Sequence, residues 1–363
     1  MKVSILGLDL IVDPALHWGQ ELLRLLSDVV GQSTEHGPMR GSLEIAMGTL
    51  PGAPHLHVIE PDLARVGDTL IDRRYGVQIR LRDDEHIELR TQHSCPEWYS
   101  WALQLCALRS GTTFVHAAGL ERNGAALLLA ARNNFGKTAL IGDFVQRRGF
   151  RLMGDDLTVL AADGTCYAYP RALTLHSAHR SFFPDVFAHD RAPAAPAALN
   201  GVIERVTLSA KPLLRRVPGL LEFARRHHPD VLRIAPSRVF GVERLAARAQ
   251  LHTILWLERS AELKKPVLSE ARSSMPARAF GSTIDEFDDR CVHITHVAMA
   301  AGLLPLETSF GAWMDVLRIG LQGAHAFSLS LPASLPLEEM PAVVFDVMTA
   351  EGLIGELEAA TCV

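Results

Sequence analysis

One short segment limits what this chain can fold into more than any other. A small and apolar run at 125–130 leads into a loop containing glycine, and an apolar helical pattern follows at 137–146. Short apolar runs bounded by turns are typical of buried strands, whereas apolar residues spaced by three and four are typical of helices. Strand, loop and helix in this order predict an α/β domain.

The loop between the strand and the helix fits the phosphate-loop pattern G-x-x-x-x-G-K-[ST], except that alanine stands at the first position. Its residues are Ala131, Arg132, Asn133, Asn134, Phe135, Gly136, Lys137 and Thr138. We expect its backbone N–H groups and the helix N-terminus to converge on phosphate oxygens. Lys137 is predicted to reach the β- and γ-phosphates of ATP, and the Thr138 hydroxyl to ligate Mg²⁺. The competing interpretation is a plain turn that opens a helix.

Two adjacent carboxylates, Asp155 and Asp156, follow the helix within an apolar segment. One carboxylate can coordinate Mg²⁺ while its neighbour accepts a proton from an attacking hydroxyl. Two such charges side by side also raise one of the two pKa values. The alternative interpretation is a solvated Gly-Asp-Asp turn.

These segments together resemble the HPr kinase signature. In it, a phosphate loop is followed by an arginine-glycine turn, here Arg-Gly-Phe-Arg-Leu at 148–152, and by a paired aspartate. Upstream, residues 114–119 resemble that family's strand ending in a histidine, which is His116 here. The resemblance covers residues 96–180 and is to the divergent HPr kinase-related proteins, several of which also have alanine at the first loop position.

The resemblance implies an α/β fold with a phosphate-loop kinase core of the HPr kinase/PEP carboxykinase type. It implies that Asp155 is the general base, that His116 supports it, and that Asp156 joins Thr138 at Mg²⁺. Arg171 lies in a Pro-Arg pattern that looks like the subgroup's, and would stabilise charge on the transferred phosphoryl group. Taken alone, His116 fits a satisfied histidine at a strand end, and Arg171 fits a surface residue.

The expected reaction moves the γ-phosphoryl group of ATP to a serine or threonine hydroxyl. No counterpart follows residue 200 of the segment through which HPr kinases engage HPr and form hexamers, so HPr is not the expected substrate. The divergent relatives often belong to pathways that tailor ribosomally made peptides, which makes a precursor peptide or another protein the preferred acceptor. A small-molecule kinase, a non-catalytic nucleotide-binding module and a homo-oligomer stay open.

Composition excludes several other classes of protein. Hydrophobic residues make up 48% and charged residues 21% of 363, as in folded globular proteins. A net charge of −5 gives no overall attraction for nucleic acid or an anionic membrane. The five cysteines are odd in number and widely spaced, and they indicate neither a disulfide framework nor a zinc site. No apolar run approaches the ~20 residues of a membrane helix, so we predict a cytoplasmic protein without a membrane partner.

The chain is predicted to contain two domains. Residues 1–95 read as an N-terminal α+β domain that binds the acceptor, with a helical pattern at 16–30 and antiparallel strands within 43–90. A helix at 96–110 marks the boundary, and 96–363 form the catalytic domain with a C-terminal helical part. An alanine- and proline-rich linker is predicted at 192–199.

Three charged segments admit simpler interpretations. The arginines and histidines within 211–238 predict a solvated helix face, or a patch for an acidic peptide or the triphosphate. Residues 292–297 alternate like a strand, which would put His293 and His296 on opposite faces and gives no metal site. The acidic residues between 285 and 289 predict an exposed loop or a helix start.

Overall fold

The computed structural model shows a mixed α/β fold with two large β-sheets. The residues that it describes are 2–13, 16, 26, 28, 37–48, 57–81, 86–91, 96–132, 135–189, 231–287, 289–304 and 308–359. The predicted linker, nearly all of the predicted helix at 16–30 and most of the basic segment within 211–238 lie outside these residues.

The first sheet is built from residues 2–91. Its strands are β1 Lys2–Ile5, β2 Leu8–Val12, β3 Ser42–Met47, β4 His57–Glu60, β5 Leu63–Val66, β6 Thr69–Asp72, β7 Val77–Leu81 and β8 His86–Thr91. Strands β4 to β8 form an antiparallel meander, as predicted. Strand β3 instead pairs in parallel with both β2 and β8, so the antiparallel prediction is wrong there. The alternation of apolar and polar residues indicates which face of the sheet a side chain lies on, but it does not indicate whether neighbouring strands are parallel or antiparallel.

The second sheet holds the predicted strand and loop. Its strands are β9 Thr112–Val115, β10 Ala117–Arg122, β11 Ala125–Ala131, β12 Arg151–Gly154, β13 Thr158–Ala161, β14 Thr165–Tyr167, β17 Arg248–Ser260, β18 Val267–Glu270 and β19 His325–Pro332. Strand β11 pairs antiparallel with β10 and parallel with β17, which pairs parallel with β19. β15 Leu173–His176 and β16 Val231–Ile234 form a separate antiparallel two-stranded sheet.

Helices cover both faces of the second sheet. The α-helices within the described ranges are α1 Pro96–Arg109, α2 Lys137–Arg147, α3 Pro184–His189, α4 Pro236–Phe240, α5 Met275–Ile284, α6 Asp289–Ala300, α7 Phe310–Gly320, α8 Met340–Ala350 and α9 Leu353–Ala359. Each of these helices is too short or too polar to cross a lipid bilayer. The helices predicted at 96–110 and 137–146 are confirmed to within one residue at each end.

The predicted strand at 292–297 is wrong, because these residues lie in α6. Cys291, Ile294 and Ala298 are buried on one side of this helix, and their spacing of three and four residues is typical of a helix. The alternation of apolar and polar residues at 292–297 is equally compatible with a strand. His293 hydrogen-bonds to Glu60 at 2.8 Å, and the ring of His296 packs edge-on against Phe310. Both histidines thus contact other residues of the described chain.

Strand β11 separates two hydrophobic cores. All seven of its residues are buried, as expected of a strand in the middle of a covered sheet. Ala126, Leu128 and Ala130 face the core that contains α1 and the first sheet. Leu127, Leu129 and Ala131 face the core that contains α2, α8 and α9. The loop after Ala131 therefore leaves from the middle of the sheet.

Two interruptions lie opposite one another beside this strand. His116 separates β9 from β10, and residues 155–157 separate β12 from β13. Because β10 pairs with β12 and β9 pairs with β13, the two interruptions face each other. A Cβ on Gly154 would lie 2.2 Å from the Leu157 carbonyl oxygen, and one on Gly119 would lie 2.4 Å from the Thr158 hydroxyl oxygen. The close approach at this corner therefore requires glycine.

Replacing Gly154 with alanine tests this corner. We expect Gly154→Ala to lower the free energy of unfolding by about 1–3 kcal/mol, because the new methyl group collides with backbone. The control is Gly355→Ala in α9, where a Cβ meets nothing within 4 Å. That variant should be neutral or gain about 0.5–1 kcal/mol. Urea denaturation measures both, and an unchanged midpoint for Gly154→Ala would contradict the close approach.

Candidate active site

The loop after β11 turns sharply at Gly136. This residue caps α2 with φ 110° and ψ 25°, a backbone conformation that side-chain-bearing residues rarely adopt. A Cβ here would also lie 2.6 Å from Leu337 Cδ1 and 2.8 Å from Met340 Cε. The dihedral angles therefore favour glycine here, as the phosphate-loop pattern predicts, and a larger residue would also displace the ends of the Leu337 and Met340 side chains.

The other loop residues differ in exposure. Ala131 is buried at the end of β11, Arg132 is exposed, and Phe135 is half-buried. Asn133 and Asn134 lie outside the described residues. The Arg259 guanidinium stands 5.7 Å from the centre of the Phe135 ring and donates a 2.7 Å hydrogen bond to the Leu335 carbonyl. Arg259, which the sequence patterns did not single out, thus connects the loop to the segment before α8.

The Lys137 ammonium is buried, with 5% of the residue exposed. It donates to His116 Nε2 at 2.8 Å and to the Ala131 carbonyl at 3.2 Å. Burial lowers the pKa of Lys137, while the charges of Asp156, Asp155 and Glu286 oppose that shift. The cation therefore lies in a low-dielectric site that needs nearby anions.

His116 acts as an acceptor toward this lysine. Burial and the Lys137 charge lower the pKa of His116 to about 3, so the imidazole is neutral at physiological pH. Because Nε2 accepts from Lys137, the remaining proton is on Nδ1, which lies 3.2 Å from the Ser282 carbonyl oxygen. The backbone N–H of His116 donates to the Thr283 hydroxyl at 2.9 Å. The end of α5 therefore sets the orientation of the ring.

Thr138 contacts the first of the two aspartates. Its hydroxyl donates to the Asp155 carboxylate, with oxygen–oxygen distances of 3.2 and 3.3 Å. Asp155 is only 3% exposed. Burial, together with the Asp156 charge, raises the pKa of Asp155 to about 8. Without a bound cation this carboxyl is thus largely protonated at neutral pH.

Asp156 lies in a different electrostatic environment. Arg171 Nη2 donates to its Oδ2 at 3.0 Å, and 34% of the Asp156 side chain is exposed. Burial tends to raise the pKa of Asp156, but the positive charges of Arg171 and Lys137 outweigh it, and the pKa falls below its ordinary value. The two neighbours therefore divide into a buried, protonated carboxyl and an accessible, ionised one.

Glu286 is a member of the site that its sequence position did not reveal. Its Oε1 lies 3.4 Å from His116 Nε2, and 19% of its side chain is exposed. This acidic segment is predicted to be an exposed loop or a helix start, and Glu286 lies in the turn after α5 but is only partly exposed. The sequence motifs described above do not extend to this residue, and its place in the site depends on the packing of α5 against β9.

The structure brings six of the predicted residues together at the end of β11. These residues are His116, Lys137, Thr138, Asp155, Asp156 and Arg171. Within the described part of the chain, His116 makes its hydrogen bonds to Lys137 and to α5 and makes none to Asp155. The hydroxyl of Thr138 and the carboxylate of Asp155 are hard oxygen donors in contact, a set that fits Mg²⁺.

Comparisons with known proteins find distant structural neighbours only. No protein-family model and no curated protein matches this chain. Among solved structures, the HPr(Ser) kinase/phosphatase from Coxiella burnetii superposes with a TM-score of 0.30 at 11% sequence identity. The superposition covers 67% of this chain and 99% of that chain. A superposition this loose establishes neither a shared family nor a shared function.

The different environments of the two aspartates predict opposite effects on stability. Asp155 has a pKa of about 8 in the fold and about 3.9 when unfolded, so it takes up a proton on folding between these pH values. Its ionisation therefore costs stability increasingly as pH rises from about 4 to about 8. We expect the unfolding temperature of metal-free Asp155→Asn to rise relative to that of wild type as the pH increases from about 4 to about 8. Above about pH 8 the difference between the two unfolding temperatures should stay constant.

Asp156→Asn is the matched control. The lowered pKa of Asp156 stabilises the fold above about pH 4, so its loss should destabilise the protein at neutral pH. Thermal unfolding between pH 4 and 9 in a chelating buffer measures both variants. Shifts of the same sign for the two variants, or a pH-independent shift for Asp155→Asn, would refute the assigned protonation states.

Proposed function

We propose that this chain is a magnesium-dependent phosphotransferase that moves the γ-phosphoryl group of ATP to a serine or threonine hydroxyl. The observation that carries the proposal is the meeting of Lys137, Thr138, Asp155 and Asp156 where β11 ends and α2 begins. The proposal includes a phosphate-loop core of the HPr kinase/PEP carboxykinase type, in keeping with the motif resemblance. A nucleotide-binding scaffold would not need the second carboxylate.

Phosphate binding is assigned to the loop and the start of α2. The first N–H groups of a helix carry partial positive charge and bind anions. Lys137 adds a full charge, and its burial strengthens its attraction for phosphate because the surroundings have a low dielectric constant. His116 and the Ala131 carbonyl hold the ammonium in place. His116 is therefore proposed to position Lys137, and not to assist the base.

We assign the metal to Thr138 and Asp155, the reverse of the division expected from the sequence. Their oxygens are already in contact, whereas Asp156 is paired with Arg171. When bound, Mg²⁺ supplies positive charge that neutralises the phosphate oxygens. Because ligands must be deprotonated, Asp155 should release its proton when the site is filled.

The general base is then Asp156. It is ionised at neutral pH, and a third of its side chain is open to an incoming hydroxyl. Arg171 orients this carboxylate and adds positive charge near the transferred group. A base that is accessible from outside favours an acceptor residue presented by a peptide or protein, such as a ribosomally made precursor peptide. Residues 1–95 are proposed to contribute to its binding.

Calorimetric titration with ATP tests the nucleotide site. We expect wild type to bind ATP only in the presence of Mg²⁺, and Lys137→Ala to weaken that binding at least about 10-fold through loss of charged hydrogen bonds. The control is Lys264→Ala, an exposed lysine in the segment between β17 and β18. Magnesium-independent binding, or equal affinities for the two variants, would count against the proposal.

Paired aspartate variants test the division of roles. Because a metal ligand is lost, Mg²⁺ should raise the ATP affinity of Asp155→Asn much less than it raises the affinity of wild type. Asp156→Asn should keep Mg²⁺–ATP affinity but transfer phosphate at least about 10²-fold more slowly, the scale of a lost general base. Transfer is followed with γ-labelled ATP and a library of serine- and threonine-containing peptides. If the two phenotypes are exchanged, Asp155 is the base and our assignment is wrong.

A further inference from the structure

Three potential metal ligands meet far from the loop. His252 belongs to β17, His325 begins β19, and Glu356 lies in α9. The ligand atoms of these three side chains all lie within 4.8 Å of one another. Three elements that are distant in sequence thus present two imidazoles and one carboxylate to the same point, without any local motif.

A β-bulge brings His252 into this group. Ala126 of β11 pairs with Leu251, but the next residue, Leu127, pairs with Thr253, so His252 is an extra residue in β17. Such bulges redirect a side chain that regular alternation would place elsewhere. The His252 ring lies 5.2 Å from that of His325, centre to centre. Its Nδ1 is 2.9 Å from the Thr253 hydroxyl, which leaves Nε2 to bind a metal.

The elements that carry the other two ligands place them beside His252. His325 stacks on Phe327 with an angle of 9° between the rings, and its Nε2 is 3.9 Å from Glu356 Oε2. Glu356 is carried by a helix whose Leu353 and Leu357 are buried in the core beneath it. Packing of α9 on the sheet therefore determines where this carboxylate lies.

The cluster is separate from the candidate active site. Along the β11–β17 pairing, Leu127 is opposite Thr253 and Ala131 is opposite Leu257. Four residues of strand span about 13 Å, so the cluster and the phosphate loop lie toward opposite ends of these parallel strands. The donors also differ, because imidazole nitrogens suit zinc whereas the oxygen pair of Thr138 and Asp155 suits Mg²⁺.

We propose that His252, His325 and Glu356 bind one zinc ion, which ties the C-terminal helix α9 to strands β17 and β19. Two histidines and one carboxylate form a known zinc ligand set that leaves a fourth position for water. Bonds of about 2.0–2.1 Å in a tetrahedral site put neighbouring ligand atoms about 3.3 Å apart. Small side-chain rotations would therefore bring the three groups from their present spacing to a coordinating one.

Zinc binding is measured on tag-free protein that has been stripped with chelator and dialysed against zinc sulfate. We expect one zinc per chain and a rise in the unfolding temperature on zinc addition. His325→Asn and Glu356→Gln should each lower zinc affinity at least about 10-fold. Both side chains are largely exposed, so these variants are expected to fold.

The matched controls are His57→Asn and Glu351→Gln, an exposed histidine and an exposed glutamate outside the cluster. They should keep wild-type affinity, as should Lys137→Ala, which separates this site from the nucleotide site. Failure of wild type to retain zinc, equal losses in the controls, or loss of zinc in Lys137→Ala with retention in His325→Asn would overturn the proposal.

Discussion

Burying the ammonium of Lys137 is unfavourable unless polar and anionic groups surround it. The protein meets this requirement with a neutral imidazole, a backbone carbonyl and three acidic residues close by. In the proposed function, the same ammonium at the end of a buried strand would attract the phosphates of ATP. Burial of the Lys137 ammonium therefore lowers stability but strengthens the phosphate binding that we propose.

Two facing interruptions of the sheet place the paired aspartates in the site. Because β9–β10 and β12–β13 are interrupted opposite each other, His116 and the two aspartates leave the sheet at one point. Only glycine at 119 and 154 allows the chains to approach so closely. The two aspartates differ in protonation state because burial raises the pKa of Asp155, whereas the charges of Arg171 and Lys137 lower the pKa of Asp156.

The central sheet connects the two proposed sites, which have different donors. At one end, a buried lysine and hard oxygen ligands suit a magnesium-bound polyphosphate. Toward the other end, two imidazoles and a carboxylate join β17 and β19 to α9. Both sites use the parallel β11–β17–β19 arrangement, whose register decides which side chains become neighbours. The sheet thus positions the strands, helices and connecting segments that carry both sets of side chains.

Local sequence determined the segment from β11 through α2, because the apolar strand, the glycine and the helical pattern all lie within one short stretch. Local motifs also selected Lys137, Thr138, Asp155 and Asp156, and the family resemblance added His116 and Arg171; the structure brings these six residues together. The sequence could not show that Thr138 contacts Asp155, that Glu286 joins the site, or that a bulge redirects His252. Those contacts depend on strand register and on helix packing between distant segments, and no local pattern of residues encodes either.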